Sequence, residues 1–340
     1  MTNSVVHQLL SCDEPAVRYR TYTDVLGGDP HSHEAETLRE EIPSGRAASL
    51  LLSERNNQGI LPYHPYNKWL GSHWVLACLA ELGYPPGEAS LKPMLEQSYT
   101  WLLSEHHLKH ACRMIGGRMR RCASQEGYCV YYSLALDIAD ERTQELADRL
   151  IKWQWPDGGW NCDKKVIAHH SSFWESLIPM RALALYARIS GDPAAGQAVE
   201  RAAEIFLKRH LYKRQHDGAV MIPEFTCLFF PYYWHYDILA GLKAMVEVGC
   251  IGDPRCQEAL DLLESKQLPE GGFPAEKKFY QVTERKTTGR TRFDWGGARP
   301  RRMNQFVTVD ALYVLRAAGR MDPARELPLT GRARIPILER

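Results

Sequence analysis

The chain has 340 residues, with 42 lysines and arginines against 41 acids and 44% hydrophobic residues. That is enough for one large domain with a substantial core, and too neutral for a dedicated nucleic-acid binder. The nine cysteines include no CxxC pair. No apolar run approaches the ~20 residues of a spanning helix, and residues 1–10 form no charged-then-apolar leader. The expectation is free thiols in a reducing, cytoplasmic setting, with contact at a membrane surface left open.

Short helices are expected over Val5–Leu10, Pro15–Leu26, His33–Ile42 and Gly45–Glu54, with Pro15 in a first turn and Pro43 as a break. From there a unit recurs: an outer helix, an irregular loop, and an inner helix closed by a small residue or glycine. The inner helices close over Val75–Gly83, Tyr132–Asp140, Met180–Gly191, Leu239–Gly249 and Tyr313–Gly319. The outer ones cover Leu91–Glu105, Glu141–Gln154, Pro193–Leu211 and Pro254–Gln267. Asp140, Asp192 and Asp253 place an acid ahead of a first turn, where it caps and meets the helix dipole. The loops rhyme as well: Gln154-Trp-Pro-Asp-Gly-Gly-Trp160 matches Gln267-Leu-Pro-Glu-Gly-Gly-Phe273, and Asn57-Gln58-Gly59-Ile-Leu-Pro-Tyr63 is a looser copy.

Helix pairs of this length stack as an open solenoid or close into a ring. Trp69, Trp74, Tyr128, Tyr132, Phe173, Trp174, Tyr233, Trp234, Tyr236 and Phe306 fall at or near inner-helix starts. In a closed barrel with parallel inner helices they would meet at one mouth and line a cavity with π faces, or else serve as core packing.

These turns and helix pairs resemble the α/α-toroid superfamily of terpenoid cyclases and protein prenyltransferases, over about residues 55–320. The resemblance implies an all-α (α/α)5-6 toroid over 54–323. Residues 1–53 form an N-terminal helical extension that completes or flanks the ring, and 324–340 a tail. The Asp-x-Asp-Asp acid of protonating cyclases and the Asp-Asp-x-x-Asp motif of ionising synthases do not occur. Ser172-Phe173-Trp174-Glu175 and Tyr232-Tyr233-Trp234-His235-Tyr236 are similar to the two zinc-bearing helices of the prenyltransferase branch. His235 falls within a residue of that family's ligand, whereas His170 and Ala168 stand where it has Cys and Asp.

The stretch Trp160–His170 adds Cys162, Asp163, His169 and His170, which turn chemistry does not require. Cys122 opens the neighbouring inner helix at the repeat position of His170 and His235. Thiolate and imidazole donors from adjacent helix mouths suit Zn²⁺, so the expected constellation is Cys122, Cys162 and His235, with Asp163, His170 or water as the fourth ligand. The alternative is ordinary buried thiols and a core imidazole.

Arg113, Arg118, Arg120 and Arg121 lead into Cys122, Lys164-Lys165 follow Asp163, and Arg299, Arg301 and Arg302 precede the last inner helix. Arginine forks suit an anionic head group. Trp160, Trp174, Tyr233, Trp234 and Tyr236 would then receive an apolar body, and Glu126, Glu175 and Asp237 are the candidate proton handlers. The expected function is a zinc-dependent toroid enzyme on such a substrate, for which the resemblance supplies isoprenoid transfer, a prenyl diphosphate or lipid-like small molecule, and a partner subunit as examples. A metal-stapled binding protein and a carbohydrate epimerase or lyase stay open.

Overall fold

The computed structural model describes residues 5–321; the tail expected over 324–340 lies outside the described residues. Its helices are α1 (Val5–Leu10), α2 (Pro15–Arg20), α3 (His33–Glu40), α4 (Arg46–Leu52), α5 (Ser72–Leu82), α6 (Lys92–Leu103) and α7 (Glu105–Ala111), then α8 (Ser124–Ala135), α9 (Glu141–Trp153), α10 (Phe173–Ser190), α11 (Pro193–Leu207), α12 (Ile238–Glu247), α13 (Gln257–Glu264) and α14 (Gln305–Ala317). Two short two-stranded sheets decorate the loops: β1 (Arg113–Ile115) with β2 (Arg118–Arg120), and β3 (Gln281–Val282) with β4 (Arg290–Thr291). No helix among the described residues is long and apolar enough to cross a membrane.

The inner helices close a circle. α5 packs on α8, α8 on α10, α10 on α12, α12 on α14, α14 on α2, and α2 on α5 again. The outer helices α6, α9, α11 and α13 lie against this circle, and α1 and α3 flank α2. The protein is an all-α toroid of helix pairs, and α2, from the first 53 residues, stands inside the circle between α14 and α5. The expected helix Pro15–Leu26 is one rod whose last turn, Thr21–Val25, widens to i→i+5 bonding.

The rhyming loops fold alike down to single bonds. Gln154 Nε2 donates to Gly158 O at 2.7 Å, and Gln267 Nε2 to Gly271 O at 2.9 Å. Trp155 N donates to Gly159 O, and Leu268 N to Gly272 O, both at 2.8 Å. Trp160 N then reaches Ser176 Oγ of α10 at 3.0 Å, as Phe273 N reaches Thr308 Oγ1 of α14 at 2.9 Å. Each turn thereby ties an outer-helix end to the fourth residue of the next inner helix. Gly158 has φ +106°, and a Cβ there would stand 2.3 Å from Arg201 O. Gly158→Ala should therefore lose about 2–4 kcal/mol in urea unfolding, from left-handed strain plus a backbone clash.

α8 and α10 pack against each other at close range. A Cβ on Gly127 of α8 would lie 2.8 Å from the backbone nitrogen of Pro179 in α10, so the two backbones touch at a residue that has no side chain and one that has no N–H.

The ring is solid along its axis. Trp69 stacks on Tyr233 with centroids 3.7 Å apart at 4°, Trp74 stands edge-on to both, and Tyr128 Oη donates to Tyr233 O. Below them runs a buried ion network with members from most of the inner helices. Glu81 of α5 accepts from Arg181 of α10 and Lys243 of α12, both at 2.7 Å. Asp310 of α14 accepts from Arg20 of α2 at 2.5 Å and from Tyr232 Oη at 2.8 Å, and pairs with Lys243 at 3.0 Å. Arg181 also holds Glu247 at 2.6 Å. α5 and α12 face each other across the circle, so the Lys243–Glu81 pair spans its centre. Burial would raise the Glu81 and Asp310 carboxyls, but the adjoining cations outweigh it and hold both below the usual range.

Candidate functional site

The loops before the inner helices build a rim. β2 runs into Cys122 at the start of α8, and the loop from the Pro-Asp-Gly-Gly turn lies beside it: Arg121 N donates to Asn161 O at 3.2 Å. That loop is closed on itself by Ser172 N to Trp160 O at 2.8 Å, Asn161 Nδ2 to His170 O at 2.8 Å, and Ser171 Oγ to Asp157 Oδ1 at 2.6 Å. Cys162 is therefore carried next to Cys122. Glu175, in the first turn of α10, completes the group. One of its oxygens accepts from Ser124 N at 3.1 Å and Ser124 Oγ at 2.9 Å, at the positive end of α8; the other lies 3.6 Å from Cys162 Sγ.

The Sγ atoms of Cys122 and Cys162 and a Glu175 oxygen all lie within 4.8 Å of one another, and all three residues are half-buried. Ligand atoms around a tetrahedral ion with ~2.0–2.3 Å bonds stand roughly 3.3–3.8 Å apart, so a contraction of about 1 Å would close the set. A hydrogen bond with the free thiol of Cys162, burial and the Glu175 charge all raise the Cys122 thiol, with Arg121 opposing. Burial likewise raises Glu175, against the Ser124 bonds.

The expected histidine is elsewhere. His235 stacks between Phe279 (3.6 Å) and Trp234 (4.0 Å), its Nδ1 is 3.3 Å from Tyr232 O, and burial lowers its pKa to about 4. It lies in the irregular segment ahead of α12, where aromatic stacking rather than a ligand position fixes the ring. Asp163 turns its carboxylate to Lys165 N at 2.9 Å, and the exposed His170 rests on His169 at 4.1 Å. None of the three joins the Cys122–Cys162–Glu175 group. Glu175, expected only as a proton handler, takes the third place.

Glu126 is fully buried and paired with Arg121 at 2.6 Å, and Arg121 also donates to His107 Nε2 at 2.7 Å. That leaves Glu126 as a structural counter-charge rather than a free acid. Asp237 caps α12, accepting from Ala240 N at 2.7 Å and Phe229 N at 3.0 Å. Burial raises it to about 8 against those two bonds. An acid raised on folding contributes stability below its ordinary pKa and loses it as pH rises through about 8. Asp237→Asn should thus cost about 1 kcal/mol at acid pH, for one cap bond, and its deficit should shrink towards pH 8. Urea unfolding at both pH values tests this, and a deficit that grows with pH would contradict it.

The expected aromatic cavity is filled. Trp160 and Tyr236 are 1% exposed and Tyr233 3%, with Trp160 Nε1 bonded to Leu150 O and Tyr236 Oη to Leu211 O. Trp234 is half-buried and Trp174 36% exposed, so of the five only these two offer a face to a ligand. An open cleft of about 490 Å³ lies instead at the last loop, between Glu270, Asp294, Arg299, Arg302 and Met303. Ser124 and the β1–β2 hairpin were not anticipated, although Gly116-Gly117, both at positive φ, is a hairpin-turn signal inside the basic run.

No family model matches this sequence, and no curated protein matches it. Solved structures do. The unsaturated glucuronyl hydrolase of Bacillus sp. GL1 is 12% identical over 89% of this chain and 84% of its own, with a TM-score of 0.42. An inactive variant of an α-1,6-mannanase from Salegentibacter, in complex with α-1,6-mannotetrose, is 12% identical over 80% of this chain and 97% of its own, with a TM-score of 0.37. A type II terpene cyclase from Scytonema, in complex with geranylgeranyl dihydroxybenzoate, is 15% identical over 81% and 96%, with a TM-score of 0.26. At these values the fold rests on the contacts within this chain.

Proposed function

We propose that the protein is a metal-dependent enzyme working at one rim of a helical toroid, with Cys122, Cys162 and Glu175 as the protein ligands of a zinc-type ion. The carrying observation is the convergence of two thiols and a carboxylate from three separate segments within 4.8 Å. Two sulfurs and one oxygen suit a borderline-soft ion, and three protein ligands leave the open position typical of catalytic sites. Bound there, the ion supplies Lewis acidity or an activated thiol or water. Ser124 fixes the orientation of Glu175, and Glu126 holds the Arg121 guanidinium near the thiols, where it favours the thiolate. A substrate with an anionic head and an apolar body fits the arginine-bearing hairpin and the exposed Trp174, a prenyl group being one such body.

The test is cobalt substitution of protein purified under reducing conditions. Two thiolate ligands give strong sulfur-to-cobalt charge transfer, and an exchangeable water ligand shows as a visible-band shift on adding an anion. A spectrum of four fixed protein ligands would favour a metal-stapled binding protein instead, and no charge transfer would defeat the metal reading.

One observation favours a second reading, action on carbohydrate. The 490 Å³ cleft holds the carboxylates Glu270 and Asp294 beside Arg299 and Arg302. Turnover of an acidic sugar that is lost in Asp294→Asn but indifferent to metal removal would select it.

A further inference from the structure

β2 alternates, so Arg118 and Arg120 share one face while Arg121, further along, turns to Glu126. On that shared face lies the Trp155 indole, anchored by Nε1 to Met119 O at 2.7 Å. The Arg120 guanidinium carbon stands 4.4 Å from the ring centre and that of Arg118 5.7 Å. Arg120 is 1% exposed, and its Nε, Nη1 and Nη2 are all buried without a hydrogen-bond partner, as is Nε of Arg118. Among the described residues neither arginine pairs with a carboxylate. Arg118 only reaches Gly116 O at 3.3 Å, whereas Arg121, the residue after Arg120, is paired with Glu126.

Two like charges against one indole are costly to bury, and a guanidinium cannot shed its proton to escape the cost. The indole face offsets part of it and leaves all the in-plane N–H groups of Arg120 and the Nε–H of Arg118 unsatisfied. We infer that Arg118 and Arg120, laid over Trp155, form a phosphate-group site. A tetrahedral phosphate presents enough oxygens to serve both forks, more than the two of a carboxylate. Arg120 pairs with Asn161, the residue before Cys162, so the bound phosphate would sit on the same two segments that carry the thiols. This deepens the metal-centre reading by naming the anionic group, but it does not need the metal.

The experiment is calorimetric titration of inorganic phosphate and of hexyl phosphate into the full chain, stripped of metal by chelation. Saturable binding of both would place recognition in the phosphate group, with any gain for hexyl phosphate reporting an adjoining apolar surface. Arg120→Gln should weaken phosphate about tenfold or more, as loss of charged hydrogen bonds requires. Arg120→Lys, which keeps the charge without the fork, should fall between. Arg118→Gln should weaken it as well, and it carries the test if the buried variant does not fold. Arg188→Gln, exposed at the far end of α10, should bind as the native protein does. Cys162→Ser should also bind phosphate normally, which separates failure of this site from failure of the metal centre. Absence of saturable phosphate binding, equal affinity for acetate, or an unchanged affinity in both Arg120→Gln and Arg118→Gln would overturn the proposal.

Discussion

Replacing Asp310 by alanine should cost about 3–5 kcal/mol, the loss expected when one member of a buried ion network is removed and its partners are left uncompensated. Three donors converge on that carboxylate: Arg20 at 2.5 Å, Tyr232 at 2.8 Å and Lys243 at 3.0 Å. They come from α2, the loop before α12, and α12, so the variant loosens the junction at which the first and last helices of the circle meet. Asp310→Asn keeps an acceptor without the charge and should fall between. Urea midpoints measure both, and a loss under about 1 kcal/mol in Asp310→Ala, an ordinary surface value, would mean the network holds without it. The pH dependence has a definite sign. Asp310 and Glu81 are both lowered on folding, so their contribution is present above the ordinary carboxylate pKa of about 4 and is lost as pH falls through the lowered values.

Zinc affinity should drop on the order of 10²–10³-fold in Cys162→Ser, since one thiolate of a site worth roughly 10–16 kcal/mol is exchanged for a poor ligand. Cys122→Ser should match it. Glu175→Gln should lose less, roughly 10–100-fold, because the amide can still accept from Ser124. Competition with a chromophoric chelator under reducing conditions gives the numbers. A Cys162→Ser protein that retains its metal in full would remove the site, and a His235→Ala protein that loses it would return the ligand role to that histidine.

Much of the ring was legible because its signals are local. Acids before first turns, glycines after last turns and the Gln-to-Gly-Gly turn each act through bonds within a few residues. The approach of Cys162 to Cys122 was legible in part, because Cys122 stands just ahead of α8 and Cys162 just after the Gly-Gly turn that closes the next loop. His235 was misjudged because α12 begins only at Ile238, and the path of the aromatic run before it is set by packing against Phe279 and Trp69. Glu175 was seen but underrated: nothing in sequence says that Ser124 turns it inward. The axial network was not legible at all. Glu81 meets Arg181 across 100 residues and Lys243 across 162, and each reads in sequence as a lone charge on an apolar face. The filled cavity follows the same logic, since aromatic spacing gives the helix start and not whether a neighbouring loop occupies the space.

The contact between Gly127 and Pro179 reaches beyond packing. Cys122 lies just before α8 and Glu175 in the first turn of α10, each a short way along the chain from that touching point. A side chain at position 127 would act as a wedge, prising thiol and carboxylate apart without altering either one. The bite of the candidate centre is thus gauged by a bare backbone contact farther down the same two rods, and tolerance to substitution there should track metal retention rather than melting alone.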